Sequence, residues 1–359
     1  MGAPSVSVSF IEQAKASISR GDRGVIAMLL VDSEEATYTI TAVTDIPTGL
    51  TTFNQTQLKL ALLGNDTAPK KIYVLVQTEA DYSAALEYFG TMTWNYFVSP
   101  TVATDAATDT VASWIKTQRD TYKLTYKAVL PETAADHEGI VNVVGSCTYD
   151  EDELTAEQLC GRVAGIICGT KLSASGTYAA LPEMSDCERM TSAELDEAVE
   201  DGQLVFMWDG EKVKICRAVN SLTTTTDEKG DSFKKIKLVD AMDMIKDDIR
   251  LTAQDTYIGK FANTYDNKCL LITAINNYFD TLVKESVLES GECEIDIEAN
   301  RDYISEKGGE FILNGETIDL EDATDEEVKK ANTGSYVFLT ASISLIDAIE
   351  DIELEIYIG

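Results

Sequence analysis

Hydrophobic and polar positions alternate in two registers along this chain. Residues 4–10 read Pro-Ser-Val-Ser-Val-Ser-Phe, with Val6, Val8 and Phe10 on one side and serines on the other, which predicts a short strand. An apolar run, Val25 to Val31, predicts a buried strand. Further strands are expected at 72–77, 94–98, 126–130 and 140–144, with helices between them. One helix carries Val111, Trp114 and Ile115 at helical spacing. Another opens at Thr155-Ala-Glu-Gln158, a capping box, and continues through Leu159, Val163, Ile166 and Ile167. Strand–helix alternation of this kind indicates an α/β layer with a mainly parallel sheet.

The second half reads differently. Thr191-Ser-Ala-Glu194 has capping-box spacing, and Asp209-Gly210 splits 204–208 from 212–218 as a hairpin signal. Two helical stripes follow, Leu238, Met242, Ile245, Ile249 and then Leu271, Ile275, Phe279, Leu282. Residues 291–335 hold fourteen acids and four bases and predict a solvated region with short strands. Val337, Leu339, Ala341, Ile343 and Leu345 share one parity. After Asp347–Asp351 the parity flips, and Ile352, Leu354, Ile356 and Ile358 face away from Glu353 and Glu355, which predicts a last strand. The division expected is an arm over 1–20, an α/β domain over 21–190, an α+β domain over 191–335, and a strand and arm over 336–359.

Composition narrows the function. With 44% hydrophobic and 25% charged residues, the 359-residue chain can build a sizeable core, in two or three domains. Its 62 acids against 29 bases leave a net charge of −33, which repels phosphate backbones and disfavours a nucleic-acid partner. No apolar run approaches the ~20 residues of a membrane span, and no basic-then-apolar leader is visible, so the expectation is a protein that folds in the cytosol without inserting in a membrane. The seven cysteines are scattered, without a CxxC, and are expected to be reduced and to behave as small apolar residues.

Candidate chemistry is sparse. The single histidine, His137, lies in Asp-His-Glu-Gly before a strand, and no HExxH follows. There is no GxSxG, and Gly259-Lys260 is followed by Phe261 rather than the Ser or Thr of a P-loop. Gly161, Gly165 and Gly169 put small residues on one side of a helix for close packing. Asp240, Asp243 and Asp247 share a helix side that would suit a divalent ion, and Asp150–Glu153 form a second acid cluster. In a chain this acidic, both are expected from composition alone. No catalytic residue, cofactor or metal site is assigned.

The stretch Arg217-Ala-Val-Asn-Ser-Leu-Thr-Thr-Thr-Thr226, followed by Phe233-Lys-Lys and Leu238-Val-Asp, resembles the contractile tail sheath family. The match is to the small sheaths of Gram-positive phages, defective prophages and phage-tail-like bacteriocins of the diffocin type. Arg20-Gly-Asp-Arg-Gly-Val-Ile-Ala-Met28, Ala135-Asp-His-Glu-Gly-Ile-Val-Asn-Val143, Ala164–Gly169, Tyr257–Lys260 and Asp347–Asp351 agree in order along nearly the whole chain. The resemblance implies a structural subunit forming stacked hexameric rings around an inner tube protein, with baseplate and tail terminator proteins as further partners. It implies contraction that drives the tube through an envelope, and terminal arms that add strands to a neighbour's sheet. Such a subunit assembles in the cytoplasm and becomes part of a phage tail or tail-like particle. Periodicity alone favours terminal strands paired within their own subunit. The resemblance instead places Val6, Val8, Phe10, Ile352, Leu354, Ile356 and Ile358 at subunit interfaces. Arg20 and Arg23 are placed to meet the acidic run of 347–355 if both arms share one sheet, and Lys234, Lys235, Lys237, Lys329 and Lys330 are candidates for contact with the tube or another partner. Competing readings are a soluble α/β enzyme or nucleotide-binding protein, supported only by the strand–helix alternation, and a surface adhesin, which the missing leader opposes.

Overall fold

Seven consecutive apolar residues, Val25–Val31, form β1, and the whole strand is withdrawn from water apart from its last residue. A strand buried on both faces reads as a continuous hydrophobic run, as the central strand of a layered α/β sheet must. The computed structural model describes residues 17–21 and 23–358, so the strand expected at 4–10 lies outside the described residues. Contacts divide the chain into two units.

The larger unit comprises Gly21–Asp247 with Asp347–Gly359. After β1 come β2 (Ala36–Ile40), α1 (Thr52–Leu63), β3 (Lys71–Gln77), α2 (Tyr82–Phe89), β4 (Tyr96–Val98), α3 (Thr108–Asp120), β5 (Lys127–Pro131) and β6 (Ile140–Val144). Then follow β7 (Cys147–Tyr149), β8 (Asp152–Leu154), α4 (Ala156–Gly169), β9 (Ala180–Leu181), β10 (Met184–Cys187), α5 (Ser192–Glu200), β11 (Gln203–Trp208), β12 (Val213–Ile215) and α6 (Ile236–Thr252), whose last residues pass into the second unit.

Nine strands make one sheet in the order β2-β3-β1-β4-β5-β6-β11-β12-β9. The run from β3 to β11 is parallel, and β2, β12 and β9 are antiparallel additions at its margins. Ile26, Met28 and Leu30 of β1 pack on one face with Leu58 and Ala61 of α1 and Leu159 and Val163 of α4. Val25, Ala27 and Leu29 pack on the other with Leu86 and Phe89 of α2 and Val111 and Ile115 of α3. The α/β layering therefore follows from the alternation in the sequence. The boundary expected at residue 190 falls inside this unit, because Leu204, Val205, Phe206, Val213 and Ile215 are buried where β11 and β12 continue the sheet beyond β6. A separate antiparallel sheet has the order β10-β7-β8.

Local signals are realised in detail. The Thr155 N–H donates to Gln158 Oε1 at 3.0 Å, and the Thr191 N–H to Glu194 Oε2 at 2.7 Å, as capping boxes require. A Cβ on Gly165 would stand 2.1 Å from the Ala61 carbonyl oxygen, and one on Gly169 2.1 Å from that of Thr67. The glycine stripe thus serves close packing of α4 on α1.

The second unit comprises Asp248–Ile346 with the described residues 17–20. It contains α7 (Tyr265–Lys284), β13 (Leu288–Ile295), α8 (Ile297–Glu306), β14 (Glu310–Leu313), β15 (Glu316–Asp319), α9 (Asp325–Lys330) and β16 (Leu339–Leu345). β13 and β16 pair antiparallel as a two-stranded sheet, and β14 and β15 as a hairpin. Phe279 of α7 packs under Gly291 of β13, where a Cβ would lie 2.9 Å from the ring. Among the described residues no helix is long and apolar enough to cross a membrane.

Candidate assembly interface

The segment after β16 shows the clearest departure from ordinary surface chemistry. Residues 347–358 have no regular secondary structure, although 352–358 alternate as a strand. The physical reason is that a strand needs a partner to satisfy its N–H and C=O groups, and among the described residues this segment has none. Its apolar residues are turned to water: Ile352, Leu354, Ile356 and Ile358 are between 77% and 96% exposed. Scattered surface leucines need no explanation, but a row of exposed isoleucines is more than scatter.

Its root, by contrast, is held. Glu350 Oε1 accepts from Ser175 Oγ at 2.9 Å and Thr177 Oγ1 at 2.6 Å. The other Glu350 oxygen lies 3.5 Å from Lys235 Nζ and 3.9 Å from Arg217 Nη1. Lys235 also pairs with Asp347, and Arg217 Nη2 with Asp351 at 2.6 Å. Burial works against the Asp347 carboxylate, but Lys235 outweighs it and holds Asp347 below its ordinary range. For Lys235, burial is outweighed by Asp347 and Glu350, and its ammonium is held above the usual lysine range. The segment is clamped over 347–351; beyond that, Tyr357 donates to Glu355 within the segment itself.

The second feature is the β13–β16 sheet. With only two strands among the described residues, each strand has one edge without a ladder partner. Exposed edges of this kind are templates for a further strand.

Other expected site residues are placed as follows. Val6, Val8 and Phe10 lie outside the described residues. Arg20 pairs with Glu285, while Arg23 donates to the Thr170 carbonyl at 3.2 Å and lies 3.6 Å from Asp240. Within the chain it is therefore Arg217 and Lys235 that meet the acidic run. Lys234 pairs with Asp231 at 3.0 Å and Lys237 is buried. Lys329 pairs with Glu326 at 3.1 Å, and Lys330 lies 5.8 Å from the Tyr265 ring centroid. Sequence reasoning missed Arg217, Ser175 and Thr177 as anchors. The signal available was charge: Arg217 stands in the family-like stretch, and Asp347–Asp351 needed cations.

The chemical candidates resolve into structure. The acids of α6 face a buried seam of cations. Lys127 Nζ lies 2.5 Å from Asp243 and 3.4 Å from Asp240, Arg119 Nη1 lies 2.9 Å from Asp243, and Tyr96 Oη donates to Asp240 at 2.7 Å. Burial favours a neutral Asp243, but Lys127 and Arg119 overcome it and keep the carboxyl below its usual range. Asp247 accepts from Thr125. No group of acids, cysteines or histidine suited to a metal is found among the described residues. His137 Nδ1 accepts the Gly139 N–H at 3.0 Å, its backbone N–H donates to Ser221 Oγ at 3.3 Å, and burial lowers its pKa despite Glu138 and Asp120. It is a hydrogen-bonded residue at the entrance of β6. At the end of β1, Asp32 accepts N–H groups from Thr51, Asn54 and Ser33, each at 2.8 Å. An acid at that point of a doubly wound sheet is the opposite of a phosphate cradle.

The α/β unit, the exposed apolar segment and the small two-stranded sheet belong to a fold that solved proteins share. A sheath tail protein from Desulfitobacterium hafniense superposes with a TM-score of 0.67 at 19% identity, over 82% of this chain and 94% of that one. A chain of the PVC sheath complex, an extracellular contractile injection system in its contracted state, gives 0.67 at 12% identity, over 99% and 98%. The fold is that of contractile sheath subunits. Residues 76–221 match the phage tail sheath protein central domain and residues 228–359 the phage tail sheath C-terminal domain. The tail sheath protein of Clostridium phage phiCD119 is 34% identical over 362 aligned residues, 99% of each chain. The chain belongs to the phage tail sheath family and is a structural component of a contractile tail.

Proposed function

We propose that this subunit forms hexameric rings stacked around an inner tube, and that its terminal arms link the rings by adding strands to the β13–β16 sheet of a neighbour. The observation that carries this reading is that the chain has both an exposed apolar row, Ile352, Leu354, Ile356 and Ile358, and a two-stranded sheet whose edges are unpaired among the described residues. Each backbone hydrogen bond formed contributes ~0.5–1.5 kcal/mol, and burying each isoleucine or leucine contributes ~1.5–3 kcal/mol at most. An arm of several residues therefore binds firmly without any covalent link. The same part is proposed for the N-terminal arm with Val6, Val8 and Phe10, which lie outside the described residues.

On this reading the α/β unit faces solvent, where its acidity keeps the particle soluble, and Asp248–Ile346 lies nearer the tube. Assembly proceeds in the cytoplasm with baseplate and terminator proteins, and contraction drives the tube forward using energy stored in the assembled state, without an enzymatic step. The clamp at 347–351 fixes where the arm departs. The test is a chain ending at Asp351, compared with the full chain by electron microscopy and thermal melting. The expected result is striated tubes from the full chain, none from the shortened one, and equal melting temperatures. Tubes from the shortened chain overturn the linkage.

A further inference from the structure

Cys147 and Cys187 are paired directly across β7 and β10. The Glu188 N–H donates to the Ser146 carbonyl at 3.2 Å, which makes Cys147–Cys187 a non-hydrogen-bonded antiparallel pair, the kind with Cα atoms ~4.5 Å apart and side chains on one face. That separation lies at the short end of the range a disulfide spans, ~4.4–6.8 Å. Both residues are free thiols, both are packed against the same core as Met184 and Leu154, and the two strands belong to a small sheet whose edge strand is β10. A surface cleft lined by Ser146, Thr148, Asp186 and Glu188 reaches both cysteines.

We infer that Cys147 and Cys187 form a disulfide that staples β7 to β10 when the subunit meets a low-molecular-weight disulfide outside a reducing cytosol. The Cys187 thiolate attacks the small disulfide, forms a mixed disulfide and releases one thiolate. Cys147, as thiolate, then attacks the Cys187 sulfur, closes the protein bridge and releases the second thiolate. Two electrons and two protons pass from the protein to the small disulfide, which becomes two thiols. Burial is the first cause that holds both thiols above their usual range; Arg189 opposes it at Cys187, while Asp186 and Glu188 reinforce it there and Glu183 and Asp186 reinforce it at Cys147. Cys187, 6% exposed against 1% for Cys147, is the more accessible and reacts first. The reaction is consequently slow at neutral pH and accelerates in mild alkali. The closed loop contains all of α4, so the bridge restrains the chain around the helix that packs on β1. When the subunit would meet such an oxidant rests on the sheath reading; the chemistry itself is tested on the purified chain alone.

The experiment treats the full chain with oxidised glutathione in mild alkali, alkylates the remaining thiols after unfolding, and maps peptides without reduction. The expected product is a peptide pair joining Cys147 to Cys187, lighter by two hydrogen atoms, with a melting temperature raised by several degrees and restored by a reductant. The partly exposed Cys216 and Cys269 report whether the oxidant acted. If these carry glutathione while Cys147 and Cys187 are both alkylated, or if Cys187 stops at a glutathione adduct, the inference is overturned. A Cys147→Ala chain removes the linked pair and leaves Cys187 able only to form the adduct. Should that variant fold poorly, the map of the unaltered chain still decides.

Discussion

Lys127 Nζ stands 2.5 Å from an Asp243 carboxylate oxygen although the two side chains are only 2% and 10% exposed. The pair joins the first residue of β5 to the third turn of α6, and Arg119 of α3 closes on the same carboxylate. Charges withdrawn from water in this way are costly unless every partner is present. Replacing Lys127 by Met leaves two buried carboxylates, Asp240 and Asp243, with reduced compensation. We expect a loss of ~3–5 kcal/mol in denaturant unfolding, most of it recovered when Asp243→Leu is added. If the single variant unfolds at the same denaturant concentration as the parent, the seam does not hold α6 to the sheet.

Gly165 makes a second, independent test of the core. Its position against the Ala61 carbonyl leaves no room for a methyl group. Gly165→Ala gains helix propensity of ~1 kcal/mol but forces α1 and α4 apart, for which overpacking costs of ~1–3 kcal/mol apply. A backbone clash cannot be relieved by a side-chain rotation, so the balance is destabilising. The measurement is the melting temperature, with Gly161→Ala as the milder control, since its nearest contact is the flexible end of Met28 at 3.4 Å.

These tests probe parts of the fold that were unequally legible in the sequence. Val25–Val31 was readable because both sheet faces are covered, and the Asp209-Gly210 hairpin because its turn chemistry is local. The acid stripe of α6 was readable as a stripe but not as a seam. Its partners, Arg119 and Lys127, are more than a hundred residues away in the chain, and nothing in local spacing connects them. The strand pattern of 352–358 was read correctly as alternation, yet the lone chain forms no strand there, because hydrogen-bond partners are not encoded in the segment itself. The pairing of Cys147 with Cys187 likewise depends on register between strands separated by α4.

The clamp at the root of the C-terminal segment has a defined pH range. Asp347 titrates below its ordinary value of 3.8, so its contribution is complete above that value and is lost as pH falls through the lower folded one. Lys235 titrates above 10.5, so its contribution is complete below that value and is lost as pH rises through the higher folded one. The clamp is therefore intact between about pH 4 and 10 and opens only in acid or strong alkali. Carbon-13 titration of the Asp347 carboxyl should show a midpoint below 3.8, moving back up in Lys235→Met. An unchanged midpoint in that variant would mean Lys235 does not hold the segment.

The last prediction separates burial from charge in the arm. Ile356 is 77% exposed among the described residues, so Ile356→Asp removes little packing within the subunit and should leave its melting temperature nearly unchanged. In the proposed strand addition the same residue would be buried against a neighbour. A carboxylate placed there loses the apolar gain of ~1.5–3 kcal/mol and meets the cost of burying an unpaired charge. Glu353 shares the opposite face with Glu355 and has no hydrogen-bond or ion-pair partner among the described residues, and exposed ion pairs contribute only ~0–1 kcal/mol. Glu353→Gln should therefore assemble almost normally. The charges act on register instead, because a one-residue slip would turn the isoleucines outward and the glutamates inward. Sedimentation of both variants beside the parent measures this directly. Ile356→Asp should remain in the supernatant with unaltered folding, and Glu353→Gln should pellet with the parent. The reverse order, with Glu353→Gln soluble and Ile356→Asp pelleting, would show that charge rather than apolar burial binds the arm.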